Sequence, residues 1–101
     1  MEDIEIVKEF KKRVQGFYPD AEIYFYGSRL KKTHQEDSDY DLLVLLDDVN
    51  STIRKEIYDI AWETGFKYDA LIAPVLSTKD YFYSSNTSPF LNSVKNFGMA
   101  L

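Results

Sequence analysis

The chain contains no cysteine, so neither disulfides nor thiolate chemistry can contribute to its stability or reactivity. Its single histidine, His34, lies in a polar stretch. With no cysteine and no second imidazole, a zinc site is not expected and a surface histidine is. No apolar run approaches the ~18 residues that a membrane-spanning helix needs, so no membrane partner is expected. The first residues, Met1-Glu2-Asp3-Ile4-Glu5, are acidic and resemble neither a secretory signal nor a transit peptide. Together with the missing cysteine, this is compatible with a cytoplasmic protein. Basic residues are in the minority, 12 against 17 acidic ones, for a net charge of −5. Duplex binding calls for a basic face that displaces counterions, so nucleic acid is not expected as the main ligand. A nucleotide remains compatible, because a triphosphate that arrives with Mg²⁺ is nearly neutral and carboxylates attract the metal.

What is present is an ordinary soluble balance, 45% hydrophobic and 29% charged over 101 residues. That length fits one domain, residues 1–101, with one modest core. Ile4, Val7, Phe10 and Val14 recur at helical spacing over residues 3–15, and Gly16 suits the stop. Residues 21–26 are β-branched and aromatic and predict a strand, broken by Gly27-Ser28. A short helix is expected over 29–32 and a polar loop over 33–38. Residues 39–46 predict a second strand, apolar after Asp41 and therefore central. Asn50-Ser51 caps a helix that carries Ile53, Ile57, Ile60 and Ala61 up to Gly65. Residues 67–75 predict a third strand, 78–83 a helical turn, and Ser88-Pro89 the start of a last helix ending near Gly98. The expected architecture is α+β (α/β), a small mixed sheet flanked by helices.

Two short motifs carry the chemistry. Gly27 lacks a Cβ, so the backbone can turn sharply and approach a ligand. Ser28 offers a hydroxyl and a backbone N–H, and Arg29 is the adjacent cation for phosphate oxygens. Arg29 could equally pair with a local carboxylate. Ten residues after the Gly-Ser pair comes Asp39-Tyr40-Asp41. Alternation along a strand puts Asp39 and Asp41 on one face, roughly 7 Å apart along the chain at ~3.4 Å per residue. Both can then ligate metal ions ~3.5–4 Å apart, as two-metal phosphoryl transfer requires. An isolated Asp-x-Asp is more often an exposed strand entrance with solvated acids; the upstream turn reverses that reading. Asp69 is the candidate third carboxylate, as metal ligand or proton acceptor, on the expectation that it opens the third strand about 5 Å from Asp41. The plain alternative for Asp69 is a turn residue at a strand entry. Ser28-x-x-Lys31 matches a serine acyl-enzyme motif only superficially, since the Ser-Asp-Asn and Lys-Thr-Gly partners are absent.

Phe25-Tyr26-Gly27-Ser28-Arg29, the ten-residue gap, Ser38-Asp39-Tyr40-Asp41-Leu42-Leu43-Val44 and the Ser88-Pro89-Phe90-Leu91 helix together resemble the minimal single-domain branch of the polymerase β-like nucleotidyltransferase superfamily. The resemblance implies a nucleotidyltransferase fold and Mg²⁺-dependent transfer of AMP from ATP to a hydroxyl. In that picture Gly27, Ser28 and Arg29 hold the triphosphate. Two Mg²⁺ ions sit on Asp39 and Asp41, with Asp69 as third ligand or base. The minimal branch is often the antitoxin half of a toxin–antitoxin pair, so the resemblance also implies a helical HEPN-type toxin partner modified on a tyrosine. Lys31-Lys32-Thr33 departs from the small residues and Gly common there in relatives.

Two other functions compete with this one: a non-catalytic module that binds nucleotide or masks a toxin, and nucleotidyl transfer to a small molecule. The latter usually needs an extra acceptor domain. A homo-oligomer is left open. Plain readings cover the rest. Lys8, Lys11, Lys12 and Arg13 suit the dipole at the end of the first helix. Trp62 is expected to anchor its helix to the sheet. Tyr24, Phe25 and Tyr26 are expected to pack, and one cluster among Tyr81-Phe82-Tyr83 and Phe17-Tyr18 could be a partner patch.

Overall fold

A computed structural model describes residues 3–32 and 39–101. The expected polar loop over 33–38, His34 included, lies outside the described residues. In chain order the elements are α1 (Asp3–Phe17), β1 (Glu22–Tyr26), α2 (Ser28–Lys31), β2 (Tyr40–Leu46), α3 (Ser51–Tyr68), β3 (Ile72–Thr78), α4 (Lys79–Phe82), α5 (Pro89–Phe97) and β4 (Met99–Ala100). The strands form one mixed sheet in the order β3-β2-β1-β4. β1 runs antiparallel to both β2 and β4, and β2 runs parallel to β3. The expected α+β architecture is therefore the observed one. Among the described residues no helix is long and apolar enough to cross a membrane.

β2 is central because its sequence leaves it nowhere else to go. Leu42 to Leu46 are all buried, which requires cover on both faces. On one face, Tyr40, Leu42, Val44 and Leu46 pack with Ile23 and Phe25 of β1 beneath Ile6, Val7, Phe10 and Val14 of α1 and Ile57, Ile60 and Ala61 of α3. On the other, Leu43 and Leu45 pack against Phe82, Leu91 and Val94, with Tyr24 and Tyr26 at the margin. The caps are those the sequence indicates. Asn50 accepts from the Ile53 N–H, Thr78 from Tyr81 and Ser88 from Leu91, each satisfying a helix N–H that lacks an intrahelical partner.

Four expectations change. Gly16 lies inside α1, which runs on to Phe17. α3 does not stop at Gly65 but continues to Tyr68 and ends on Asp69 in the left-handed conformation (φ 52°, ψ 47°). There the Ala70 N–H donates to the Gly65 carbonyl at 2.9 Å and the Asp69 N–H to that of Phe66 at 3.5 Å. This double closure satisfies the last carbonyls of the helix. Gly65 permits it, since a Cβ there would stand 2.5 Å from the Ala70 oxygen. The longer helix delays the third strand, which spans Ile72–Thr78 rather than 67–75. Finally, Trp62 does not anchor α3. It is 68% exposed, and it stacks on Phe66 with ring centroids 5.4 Å apart.

Candidate active site

The two motif halves meet where β1 ends and β2 begins. Tyr26, the last residue of β1, lies opposite Asp41 in the antiparallel register, so the turn after Tyr26 sits beside the carboxylates. Gly27 makes that turn with φ 85° and ψ −164°, a conformation open essentially to glycine alone. A Cβ on Gly27 would overlap the Asp41 Oδ2 atom and lie 3.1 Å from its Cγ. The backbone of the turn is thus in van der Waals contact with the Asp41 side chain. Ser28 follows as the first residue of α2, which closes after one turn on Lys32 in the left-handed conformation (φ 59°). Lys32 therefore occupies, at some backbone cost, the kind of position where relatives are expected to carry glycine.

Asp41 is half-buried, and burial pushes its carboxyl above the ordinary carboxylate range; the charge of neighbouring Asp39 pushes in the same direction. Two like charges partly withdrawn from water form a site that a cation would relieve. Tyr26 lines the same place. Burial first, and the Asp41 charge second, raise its hydroxyl to about 12, so it stays protonated. Its ring meets Phe90 of α5 edge-on, with centroids 5.5 Å apart.

Asp69 does not join the pair. In the parallel register Asp41 lies opposite Ala73, and Asp69 sits three residues before β3 on the helix-ending turn. Among the described residues no three acidic or imidazole groups gather closely enough to hold a metal ion. The expectation of a third carboxylate failed because it assumed that Asp69 opens the strand.

Arg29, expected beside the phosphates, is engaged by Asp3 and Tyr40. Its guanidinium lies 4.3 Å from the centroid of the Tyr40 ring and donates to Asp3 Oδ1 at 3.4 Å, on the sheet face opposite the Asp41 side chain. A carboxylate partner is observed, but it comes from α1, 26 residues earlier in the chain. The same side of the molecule carries a cleft of about 1070 Å³, bordered by Arg29, Tyr40, Tyr58, Trp62, Phe66 and Leu71. Asp69 lines this cleft as well.

Comparison with known proteins places the chain in a family. The model of the nucleotidyltransferase domain family matches residues 5–95. The chain belongs to that family. This nucleotidyltransferase is also 35% identical, over 98% of its own length and 98% of the relative's, to a Methanocaldococcus jannaschii protein named "Putative protein adenylyltransferase MJ0141". Two solved structures share its fold. One is a toxin–antitoxin with AMP-PNP, with TM-score 0.66 and 20% identity over 98% of this chain and 72% of that one. The other is a mutant of the toxin–antitoxin MntA-HpeT, with TM-score 0.62 and 18% identity over 99% and 72%.

Proposed function

We propose that this nucleotidyltransferase transfers AMP from ATP, with Mg²⁺, to a tyrosine hydroxyl of a small helical HEPN-type toxin, and so acts as the antitoxin of a pair. One observation carries the reading: the Gly27 turn packs directly against Asp41, so a phosphate gripped at the turn lies beside the acidic pair. The donor set fits magnesium, which is commonly held by one or two carboxylates and completed by substrate phosphates and water. Asp39 and Asp41 would hold it, and Asp69 is not required. Bound there, the metal would neutralise charge on the attacking and leaving oxygens. The residues themselves bind and orient. Gly27 and Ser28 present backbone and hydroxyl to the triphosphate, and Tyr26 with Phe90 walls the site. The acceptor hydroxyl gives up its proton to water, its oxygen forms a bond to the α-phosphorus, the bond from that phosphorus to the bridging oxygen breaks, and pyrophosphate leaves.

An adenine nucleotide is supported by the relative's name and by the AMP-PNP of the neighbouring structure. A toxin partner is supported by the toxin–antitoxin neighbours and by the exposed row of Tyr58, Trp62, Phe66 and Leu71, an apolar surface suited to a protein.

The test is incubation of the purified chain with ATP, Mg²⁺ and the product of the adjacent gene, read by intact mass and peptide mapping. The expected result is one AMP on a tyrosine of the partner, lost with Asp39→Asn/Asp41→Asn. No mass gain, or equal labelling by the double variant, would refute it. Protection from the toxin by that inactive variant would instead favour simple masking.

A further inference from the structure

The face of the sheet behind the carboxylates holds a cluster that the reaction does not use. Asp3, in the first turn of α1, accepts at Oδ1 from two donors: the Tyr40 hydroxyl at 2.7 Å and the Arg29 guanidinium at 3.4 Å. Arg29 lies over the Tyr40 ring at 4.3 Å, and its side chain is only 11% exposed. The places these residues hold in the chain matter more than the bonds themselves. Arg29 directly follows Gly27-Ser28, and Tyr40 is the residue between Asp39 and Asp41. One carboxylate from a remote helix therefore grips both halves of the motif at once, each one residue away from a group proposed to bind.

We infer that Asp3 is a positioning residue, a clamp that holds the Gly27-Ser28 turn in register with the Asp39-Tyr40-Asp41 pair through Arg29 and Tyr40.

The segment joining those halves, residues 33–38, is polar and without apolar anchors. Among the described residues, the β1–β2 ladder, which ends at Tyr26–Asp41, and the packing of Leu30 of α2 against the core also hold the register. Gly27 and Ser28 lie beyond that last pair. A charge-assisted hydrogen bond and an ion pair to a largely buried guanidinium are strong where water is excluded. The Tyr40 ring supports Arg29 by cation–π contact. Misplacing a reacting group by as little as an ångström costs on the order of a hundredfold in rate, so a clamp outside the site can govern turnover.

The inference rests on the nucleotidyltransferase reading of the site, and two readouts separate their failures. Asp3→Asn and Tyr40→Phe are compared with Glu5→Gln, an exposed first-turn acid of the same helix that shares the dipole effect but not the cluster. The first readout is amide hydrogen exchange, which needs no activity. Faster exchange confined to Ser28–Lys31 and to residues 40–41 is expected in the two clamp variants, with the centre of β2 unchanged. The second is AMP transfer. A fall in kcat of about tenfold or more is expected, with a smaller change in KM for Mg-ATP and with Glu5→Gln like the unmodified chain. Exchange that rises uniformly, or not at all, overturns the clamp, and so does localised exchange with unchanged kcat. If the unmodified chain transfers no AMP, the functional reading fails while hydrogen exchange still decides whether Asp3 holds the two segments together.

Discussion

Gly27→Ala is the substitution that presses hardest on the site. At φ 85° and ψ −164° an alanine is strained whatever surrounds it. A residue forced into such a region costs of order 1–3 kcal/mol. The added methyl would also overlap the Asp41 carboxylate. That carboxylate is only half-buried and can swing away, so the collision should appear in activity rather than in stability. For a domain of this size each 1 kcal/mol shifts Tm by about 4–8 °C, and Gly27→Ala should therefore lower Tm by about 5–20 °C. Gly16→Ala is the matched control. Gly16 is exposed, helical, and has nothing within 4 Å of a built Cβ. Alanine there should stabilise by roughly 0.5–1 kcal/mol and raise Tm by about 2–8 °C. Circular dichroism melts of both variants, paired with the AMP-transfer assay, check the reasoning. Equal melting of Gly27→Ala and the unmodified chain would refute the strained backbone at Gly27, and full activity in Gly27→Ala would refute the close approach of turn and carboxylate.

Asp41→Asn should stabilise the metal-free protein at neutral pH. Because the folded-state pKa of Asp41 is raised, its ionisation costs stability as pH climbs from the ordinary value of 3.8 through the raised one. The gain from the amide should vanish below pH 3.8; melts from acid to neutral pH that show a constant difference, or a loss that grows with pH, would refute the raised pKa. Phe82→Ala empties a fully buried position against Tyr24 and should cost about 3–5 kcal/mol by urea unfolding; a loss under 1 kcal/mol would mean that this second core layer is not packed as described. Trp62→Ala should change stability by no more than ~0.5 kcal/mol in the isolated chain, because the ring is exposed. A large loss would restore the anchoring role that its sequence position suggested.

How far the sequence could be read depended on whether neighbours along the chain were enough. β2 was legible because its apolar run admits only a central position, though it begins at Tyr40 and leaves Asp39 just outside it. The meeting of Gly27 with Asp41 was legible because a turn leaving one strand and a pair opening the next fall together when the two strands are antiparallel neighbours. Asp69 was not, because Gly65 looks like a helix stop and serves instead to let the chain fold tightly over the helix end. Three further helical residues moved the start of β3 and with it the register. Arg29 was ambiguous for another reason: its partners, Asp3 and Tyr40, lie 26 residues before it and on the far side of the sheet, and local sequence carries no sign of either. Asp3 itself reads as an ordinary first-turn acid. β4 is two residues long and is defined only by its pairing with β1.

The central claim is that Asp39 and Asp41, set against the Gly27-Ser28 turn, take up a magnesium nucleotide. Isothermal titration calorimetry of the chain with a non-hydrolysable ATP analogue, with and without Mg²⁺, tests it most directly. Saturable binding at one site, dependent on Mg²⁺ and abolished in Asp39→Asn/Asp41→Asn, is the expected result. No heat of binding, or the same isotherm in the double variant, would contradict it.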